Sequence, residues 1–364
     1  MWRVGDLVEV RSKDEILATL DQDGRLDGMP FMPEMFAFCG KQFPIYKSAH
    51  KTCDTVFPVR SRRLDNVVHL DLRCDGAAHG GCQAGCLLFW KDAWLKPANP
   101  RAQPALVSAS VASAALPTSS GRGCTEETVR RCTRIDGVDD ANDPTYQCQA
   151  TCLPEASKPL SAYDPRQYVQ DLMLGNVGVG QWLRGLVYIT YQNLINLGIG
   201  WGPALRWIYE RFQALWGGLP YPRRQGLIPM GEPTPTANLD LQVGELVRVK
   251  SYEEILATCN VDNKNRGMGF DGEQMPYCGG TYRVLKRVER IINERTGKMM
   301  QMKTPCIVLE GVFCQGRYSE CRMFCSRAIY SYWREIWLSR VERPEVVNTP
   351  AVPVRPPTGT RRDT

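Results

Sequence analysis

The sequence predicts an α+β, multidomain protein in which two small strand-rich modules flank a helical hairpin segment. The first observation is a duplication: residues 4–12 return as residues 243–251, and the match continues without a gap to Cys39-Gly40 and Cys278-Gly279. The second is an unduplicated middle with helical periodicity. A chain of 364 residues has room for two or three such domains.

Shifts in composition divide the chain into six segments. They are a first cysteine-containing module (1–96), a flexible linker (97–123), a cysteine-containing segment with the helical hairpin (124–218), a Pro-rich connector (219–238), a second cysteine-containing module (239–342) and a disordered tail (343–364). The linker is rich in Ala, Ser, Pro and Thr and has no aromatic residue, so it cannot bury a core.

Each module opens with a strand and a short helix. Residues 7–10 follow a strand-like alternation, and Ser12 followed by Glu15 has the form of a helix cap. Further strands are predicted at residues 43–46 and 67–70. The opening Val-Gly-Asp-Leu-Val-Glu-Val resembles the first strand of SH3-like barrels, in which a Gly-acidic turn precedes an alternating strand. That resemblance implies a compact barrel for each module.

The middle segment predicts two helices joined by a glycine-rich break. One helical pattern reaches residue 197, and a second runs from Pro203 to about residue 217. Residues 185–205 carry no charge, but Gln192 and Asn193 interrupt them and the stretch is barely long enough to span a bilayer. A membrane span, an interfacial or partner-facing hairpin and a plain buried hairpin stay open. Peripheral membrane contact would use residues 176–217.

Charge and the N-terminus limit the function classes. The net charge is only +6 and no long basic run occurs, so a nucleic-acid partner is not favoured and a protein partner is expected. The first residues lack the apolar core of a signal peptide, which predicts a cytoplasmic protein, membrane-associated if the hairpin is interfacial. No phosphate-binding loop, hydrolase elbow or kinase signature occurs, so no catalytic residue is assigned and enzymatic activity stays open.

Four cysteines recur in order in the two modules. Fifteen cysteines in a reducing compartment favour metal ligation, with disulfides and free core thiols as alternatives. Four thiolates from separate loops suit tetrahedral Zn²⁺ or, as the alternative, an iron–sulfur cluster. The predicted metal ligands are Cys39, Cys74, Cys82 and Cys86 in the first module and Cys278, Cys314, Cys321 and Cys325 in the second.

Other cysteines, histidines and acids carry weaker signals. Three cysteines do not recur and are predicted to be ordinary buried residues: Cys53, Cys259 and Cys306. Cys148-x₃-Cys152 resembles Cys82-x₃-Cys86, which indicates either a third site or a coincidence. No histidine has a histidine counterpart, so His50, His69 and His79 are predicted to be core or surface residues, with a separate open metal site in module one as the alternative. The equivalence of Glu34 and Glu273 favours caps or turns over catalysis.

Paired tryptophans also recur, as Trp90 and Trp94 and as Trp333 and Trp337. Their i, i+4 spacing predicts a shared helical face that closes each module's core. The alternative is an aromatic binding surface beside Lys91 and Arg334.

The whole chain resembles a group of uncharacterised bacterial proteins with a duplicated cysteine-containing SH3-like module. The resemblance rests on the duplicated opening, on Asp-Pro-Arg-Gln-Tyr at 164–168 and on Tyr-Trp-Arg-Glu-Ile-Trp-Leu at 332–338. It implies a bacterial, non-secreted protein. Our interpretation is a metal-stabilised tandem interaction or accessory protein that supports a biosynthetic complex. The alternatives are an iron–sulfur-dependent enzyme or electron-transfer component and a nucleic-acid-binding SH3-like protein.

Overall fold

The computed structural model describes residues 2–56, 60–98, 123–135, 143–196, 201–216, 221, 224–319 and 321–341. Within these ranges the protein is α+β, with several antiparallel sheets and few helices. The predicted tail at 343–364, and all of the predicted linker except residues 97, 98 and 123, lie outside the described residues.

Module one is built around a five-stranded antiparallel sheet with the order β8-β7-β4-β1-β9. Its helix α1 spans Lys13–Leu17, and a 3-10 helix spans Pro33–Phe38. Its strands are β1 Leu7–Val10, β2 Arg25–Leu26, β3 Met29–Pro30, β4 Gln42–Ser48, β5 Lys51–Asp54, β6 Arg60–Arg63, β7 Val67–Arg73, β8 Leu87–Lys91 and β9 Leu95–Pro97. Strands β5 and β6 form a second sheet with β10 (Lys158–Leu160) of the middle segment.

Module two has a five-stranded sheet of the corresponding order, β16-β15-β14-β11-β17. Leu7 pairs with Pro44 across β1 and β4, and Leu246 pairs with Arg283 at the equivalent places in β11 and β14. Its helix α7 spans Tyr252–Leu256. Its strands are β11 Leu246–Val249, β12 Lys264–Asn265, β13 Met268–Gly269, β14 Thr281–Ile292, β15 Met299–Phe313, β16 Tyr330–Trp333 and β17 Leu338–Arg340.

The recurring tryptophans close the two cores, but not from a helical face. Trp90 lies on β8, whereas Trp94 lies in the 3-10 helix Asp92–Trp94, and both are fully buried. The prediction of a shared helical face is wrong because the first tryptophan of each pair belongs to a buried strand. Each second tryptophan is anchored through its indole N–H, which donates to Thr19 Oγ1 at 3.1 Å for Trp94 and to Thr258 Oγ1 for Trp337.

The long β14–β15 hairpin brings module two against module one. Its tip contacts the middle segment, where the backbone N–H of Tyr146 donates to the carbonyl of Gly297 at 2.8 Å. The Arg73 guanidinium of module one lies 3.9 Å from the ring centroid of Tyr330. The two modules therefore share an interface that is continuous with the middle segment.

The middle segment supplies the remaining helices, which are α2 Glu126–Arg131, α3 Leu153–Ala156, α4 Arg166–Met173, α5 Val179–Asn196 and α6 Gly202–Trp216. Helices α5 and α6 fall within the two predicted helical patterns, whose last residues, 197 and 217, lie outside the described residues. A ring contact joins the two helices, with 5.2 Å between the centroids of Tyr191 and Tyr209. Within the described ranges, no helix combines the length and the apolarity needed to cross a bilayer.

Candidate metal centre

Four cysteines line one small cavity between module one and the middle segment. The cavity measures about 30 Å³, and its walls include Cys74, Cys82, Cys86 and Cys148. Ile292, at the end of β14, contributes to the wall from module two. Three cysteines of the predicted first quartet thus face the same space as a cysteine that the repeat does not predict.

Backbone geometry holds the loop between β7 and β8 that carries three of these cysteines. The N–H of Cys74 donates to the carbonyl of Cys86 at 2.9 Å and closes the loop at its base. Gly76 adopts a φ of +73°, and a Cβ there would lie 2.1 Å from the carbonyl oxygen of Cys82. Glycine is required at this position because the chain passes so close to itself.

Backbone N–H groups point at the sulfur atoms of the cavity. The N–H of Gly76 lies 3.3 Å from Cys74 Sγ, and the N–H of Ile292 lies 3.3 Å from Cys82 Sγ. Cys148 Sγ accepts hydrogen bonds from the backbone of Thr151 and Ala150. Such donors stabilise a thiolate more than a thiol, since they favour the charged form.

Burial opposes ionisation of these thiols when no cation is present. It raises the pKa of Cys86 to about 11 and that of Cys148 to about 12, and it raises the pKa of Cys74 as well. A metal ion would displace the three protons, and the N–H donors would remain in place to stabilise the bound thiolates.

The interior of the cavity is small, and both Zn²⁺ and an iron–sulfur cluster stay predictions for its thiols. The sulfurs are not yet at bonding distances from a common point. The one group of three candidate ligand residues whose donor atoms lie mutually within 4.8 Å, among the described residues, is Glu34, Cys74 and His79.

The Glu34–Cys74–His79 group is explained without a metal. Glu34 Oε1 lies 2.8 Å from His79 Nδ1 and 3.8 Å from Cys74 Sγ. His79 Nε2 lies 2.9 Å from the carbonyl oxygen of Gln147. Both ring nitrogens therefore face protein oxygen atoms, and these contacts account for the position of His79 without a cation.

In module two, an equivalent glutamate accepts hydrogen bonds in the same way but from different donors. Glu34 Oε1 also accepts from the N–H of Ala78 at 3.1 Å. At the equivalent place, Glu273 Oε1 accepts from the N–H of Tyr318 and from the hydroxyl of Ser319 at 3.1 Å. The two glutamates are buried acceptors that hold the cysteine loops.

A second group of cysteines lies between the modules. Cys314 and Cys325 of module two lie near Cys53, which β5 of module one supplies. A hydrogen bond from the Cys53 thiol lowers the pKa of Cys325 and raises that of Cys53. Sequence analysis predicts that Cys53 is an ordinary buried residue, and no pattern in the sequence indicates its contact with Cys325.

A buried arginine adjoins both cysteine groups. Arg327 is 2% exposed and lines the cavity that holds Cys86. It donates to the carbonyl of Cys53 at 3.1 Å and to Glu294 Oε1 at 2.6 Å. Its Nε has no hydrogen-bond partner among the described residues. This cation would offset part of the negative charge of metal-bound thiolates.

Three of the eight predicted ligands lie elsewhere. Cys39 follows the 3-10 helix Pro33–Phe38 and has Lys13 and Glu126 as charged neighbours. Cys278 packs against the core of module two. Cys321 is exposed and lines a different pocket together with Tyr168 and Tyr188. The assignment of all eight cysteines to metal stays a prediction.

Two of the three histidines are structural core residues as well. His69 is fully buried, and its Nδ1 lies 2.8 Å from the carbonyl oxygen of Leu88. His50 joins a buried charge group in which Lys51 Nζ lies 2.5 Å from Asp171 Oδ2. Burial lowers the pKa of Lys51 and raises that of Asp171 to about 6. This group joins β5 to α4 in the interior.

Comparison with protein-family models and with curated proteins gives no match to this chain.

Proposed function

We propose that the chain is a metal-stabilised tandem interaction protein. Both modules are SH3-like, and Zn²⁺ bound to Cys74, Cys82, Cys86 and Cys148 locks module one to the middle segment. The observation that carries this proposal is the single cavity lined by these four thiols, with N–H donors at three of the sulfurs. A structural zinc site with four protein ligands contributes directly to folding.

The proposed site requires a modest rearrangement of side chains. A step between staggered χ1 rotamers moves a cysteine sulfur by about 3 Å, which suffices to draw separated sulfurs toward one ion. The loop backbone is already fixed by the contact between Gly76 and Cys82. Metal capture therefore asks for rotamer changes rather than for refolding of the loop.

Module two offers a corresponding proposal. Cys314 is the counterpart of Cys74 and Cys325 that of Cys86, and Cys53 supplies a third sulfur. A second Zn²⁺ at these three cysteines would join the modules directly. Two zinc ions per chain support both sites, whereas one ion limits the proposal to the cavity of module one.

The interaction role rests on the helical hairpin formed by α5 and α6. Large apolar side chains on both helices are exposed, and Val187 is 70% and Leu215 84% exposed. A scaffold locked by metal would present this surface in a fixed orientation. We propose an accessory role within a larger bacterial assembly.

Metal analysis of freshly purified, anaerobically handled protein tests the proposal. We expect colourless protein with one or two zinc ions per chain, about one of which is lost in Cys148→Ser. Cys39→Ser is the matched control. This variant should keep its zinc, because Cys39 belongs to the set of ligands predicted from the repeat but does not line the cavity. Metal-free protein, or loss of zinc in Cys39→Ser but not in Cys148→Ser, overturns this site. A broad absorbance band near 400 nm would show that the cysteines hold an iron–sulfur cluster instead of zinc. That result would favour electron transfer over the interaction role.

A further inference from the structure

The hairpin of α5 and α6 carries an exposed apolar stripe on each of its two helices. On α5 the exposed residues Leu183, Val187 and Leu194 are separated by four and seven positions, and on α6 Ile208 and Leu215 are separated by seven. These spacings place the side chains on one face of each helix. Trp201 and Trp207 are also exposed, at 68% and 59%.

The opposite face of α5 is packed against module two. Tyr188 is buried in a cluster with Met323 and Phe324 from the cysteine loop of module two. Gly185 meets the Phe324 ring so closely that a Cβ would lie 2.3 Å from its Cζ atom. The outward stripe is thus the free side of an anchored element.

The charges of the hairpin are nearly all of one sign. Arg184, Arg206 and Arg211 are exposed, and Glu210 is the single acid of the two helices. Glu210 Oε1 lies 2.6 Å from Arg224, which neutralises it. The guanidinium of Arg211 lies 5.3 Å from the ring centroid of Trp207. Cations therefore border the exposed tryptophan and the apolar stripe.

We infer that this hairpin binds the surface of an anionic membrane and lies in the plane of the interface. An exposed apolar stripe bordered by arginines is typical of interfacial helices, which bury their apolar side chains among the acyl chains. Tryptophan prefers the level of the lipid headgroups, and arginine is attracted to anionic lipids. The inference rests on the proposed interaction function and names the partner of its docking surface.

Vesicle flotation of the full chain tests the inference. We expect the protein to float with vesicles of phosphatidylcholine containing about 30% phosphatidylserine, and to bind severalfold more weakly in about 0.5 M salt. The variant V187E/L215E should lower the partition coefficient at least tenfold. Leu227→Glu is the matched control, because Leu227 is 71% exposed and lies outside the hairpin. Its partition coefficient should stay within twofold of the parent.

Several outcomes overturn the inference. They are absence of flotation with anionic vesicles, equal flotation of V187E/L215E and the parent, and a dimer in sedimentation that the double substitution abolishes. The last result assigns the stripe to a second copy of the chain. Zinc content measured on the same samples separates this inference from the proposed metal site. Protein that keeps its zinc but does not float contradicts membrane binding and leaves the metal site standing.

Discussion

Glu34 Oε1 lies 2.8 Å from Nδ1 of His79 in a buried contact, while its counterpart Glu273 holds the hydroxyl of Ser319. Glu34→Gln should destabilise the protein by about 2 kcal/mol, since a neutral amide replaces the buried carboxylate that holds the His79 ring and the N–H of Ala78. Glu273→Gln removes only hydrogen bonds to neutral donors and should cost about 1 kcal/mol. Urea unfolding of the two variants checks the order, and an equal cost would show that the contact with His79 adds nothing to the stability of the loop.

The conformation of Gly76 predicts a large difference between two glycine substitutions. Gly76 and Gly40 have nearly the same φ, +73° and +74°, but a Cβ at Gly40 meets no atom within 4 Å. Gly40→Ala should cost about 1 kcal/mol for the left-handed conformation alone. Gly76→Ala should cost about 3 kcal/mol or more because its Cβ collides with the backbone of Cys82. The comparison uses denaturant midpoints, and similar midpoints would show that the loop moves freely.

Two glycines of α5 provide a second matched pair. Gly180, the second residue of α5, has open space around its Cβ position, so Gly180→Ala should stabilise the protein by about 0.3 kcal/mol through helix propensity. Gly185→Ala should instead destabilise it, because the methyl group collides with the buried Phe324 ring. Thermal unfolding should move the two melting temperatures in opposite directions. If both variants gain stability, the hairpin is not packed against Phe324.

Cys53 predicts a change in metal content that the repeat does not suggest. If Cys53 completes a site with Cys314 and Cys325, Cys53→Ser should remove about one zinc ion per chain and weaken the contact between modules. Cys259→Ser is the control, since Cys259 is fully buried in the core of module two. Mass spectrometry of the native protein should show the missing ion in Cys53→Ser only. An unchanged zinc content in Cys53→Ser would show that Cys53 is a buried thiol and not a metal ligand.

His69 predicts a loss of stability in acid. Burial lowers its pKa to about 3, so between about pH 3 and 6.5 the unfolded chain binds more protons than the native one. Stability therefore falls as the pH drops through this window, by as much as about 1.4 kcal/mol per pH unit. His50, with its pKa lowered to about 4, acts in the same direction, whereas the raised pKa of Asp171 opposes it.

His69→Phe should flatten this dependence by about one proton, because phenylalanine retains the packing against Phe89 and cannot titrate. Unfolding free energies measured between pH 4 and 7 check the slope. An unchanged slope would mean that His69 is protonated in the native state.

Local signals predicted much of the fold. Ser12 and Glu15 form the capping box that their spacing indicates, and Ser251 and Glu254 form it again. Such signals act within a few residues, so they survive tertiary packing. The tryptophan pairs show the limit: the i, i+4 spacing of Trp90 and Trp94 suits a helix, but burial of β8 decides the conformation.

The candidate site was predictable in part. Cys74, Cys82 and Cys86 belong to the repeated set, and Cys148 was visible only as an echo of the C-x₃-C spacing. The contact of Cys53 with Cys325 joins distant parts of the chain and leaves no local trace in the sequence. The role of Glu34 as a buried acceptor also depends on a loop that folds back from residues 78 and 79.

The contact of Ile292 with Cys82 sets an order of assembly. The amide that points at this sulfur lies on β14, so it leaves the ribosome long after module one and the middle segment have been made. Until then, three of the four cavity cysteines share a loop whose outer side is uncovered. Newly made chains therefore pass through a stage in which the thiols of module one are accessible to metal and oxidant, and the arrival of module two ends that stage.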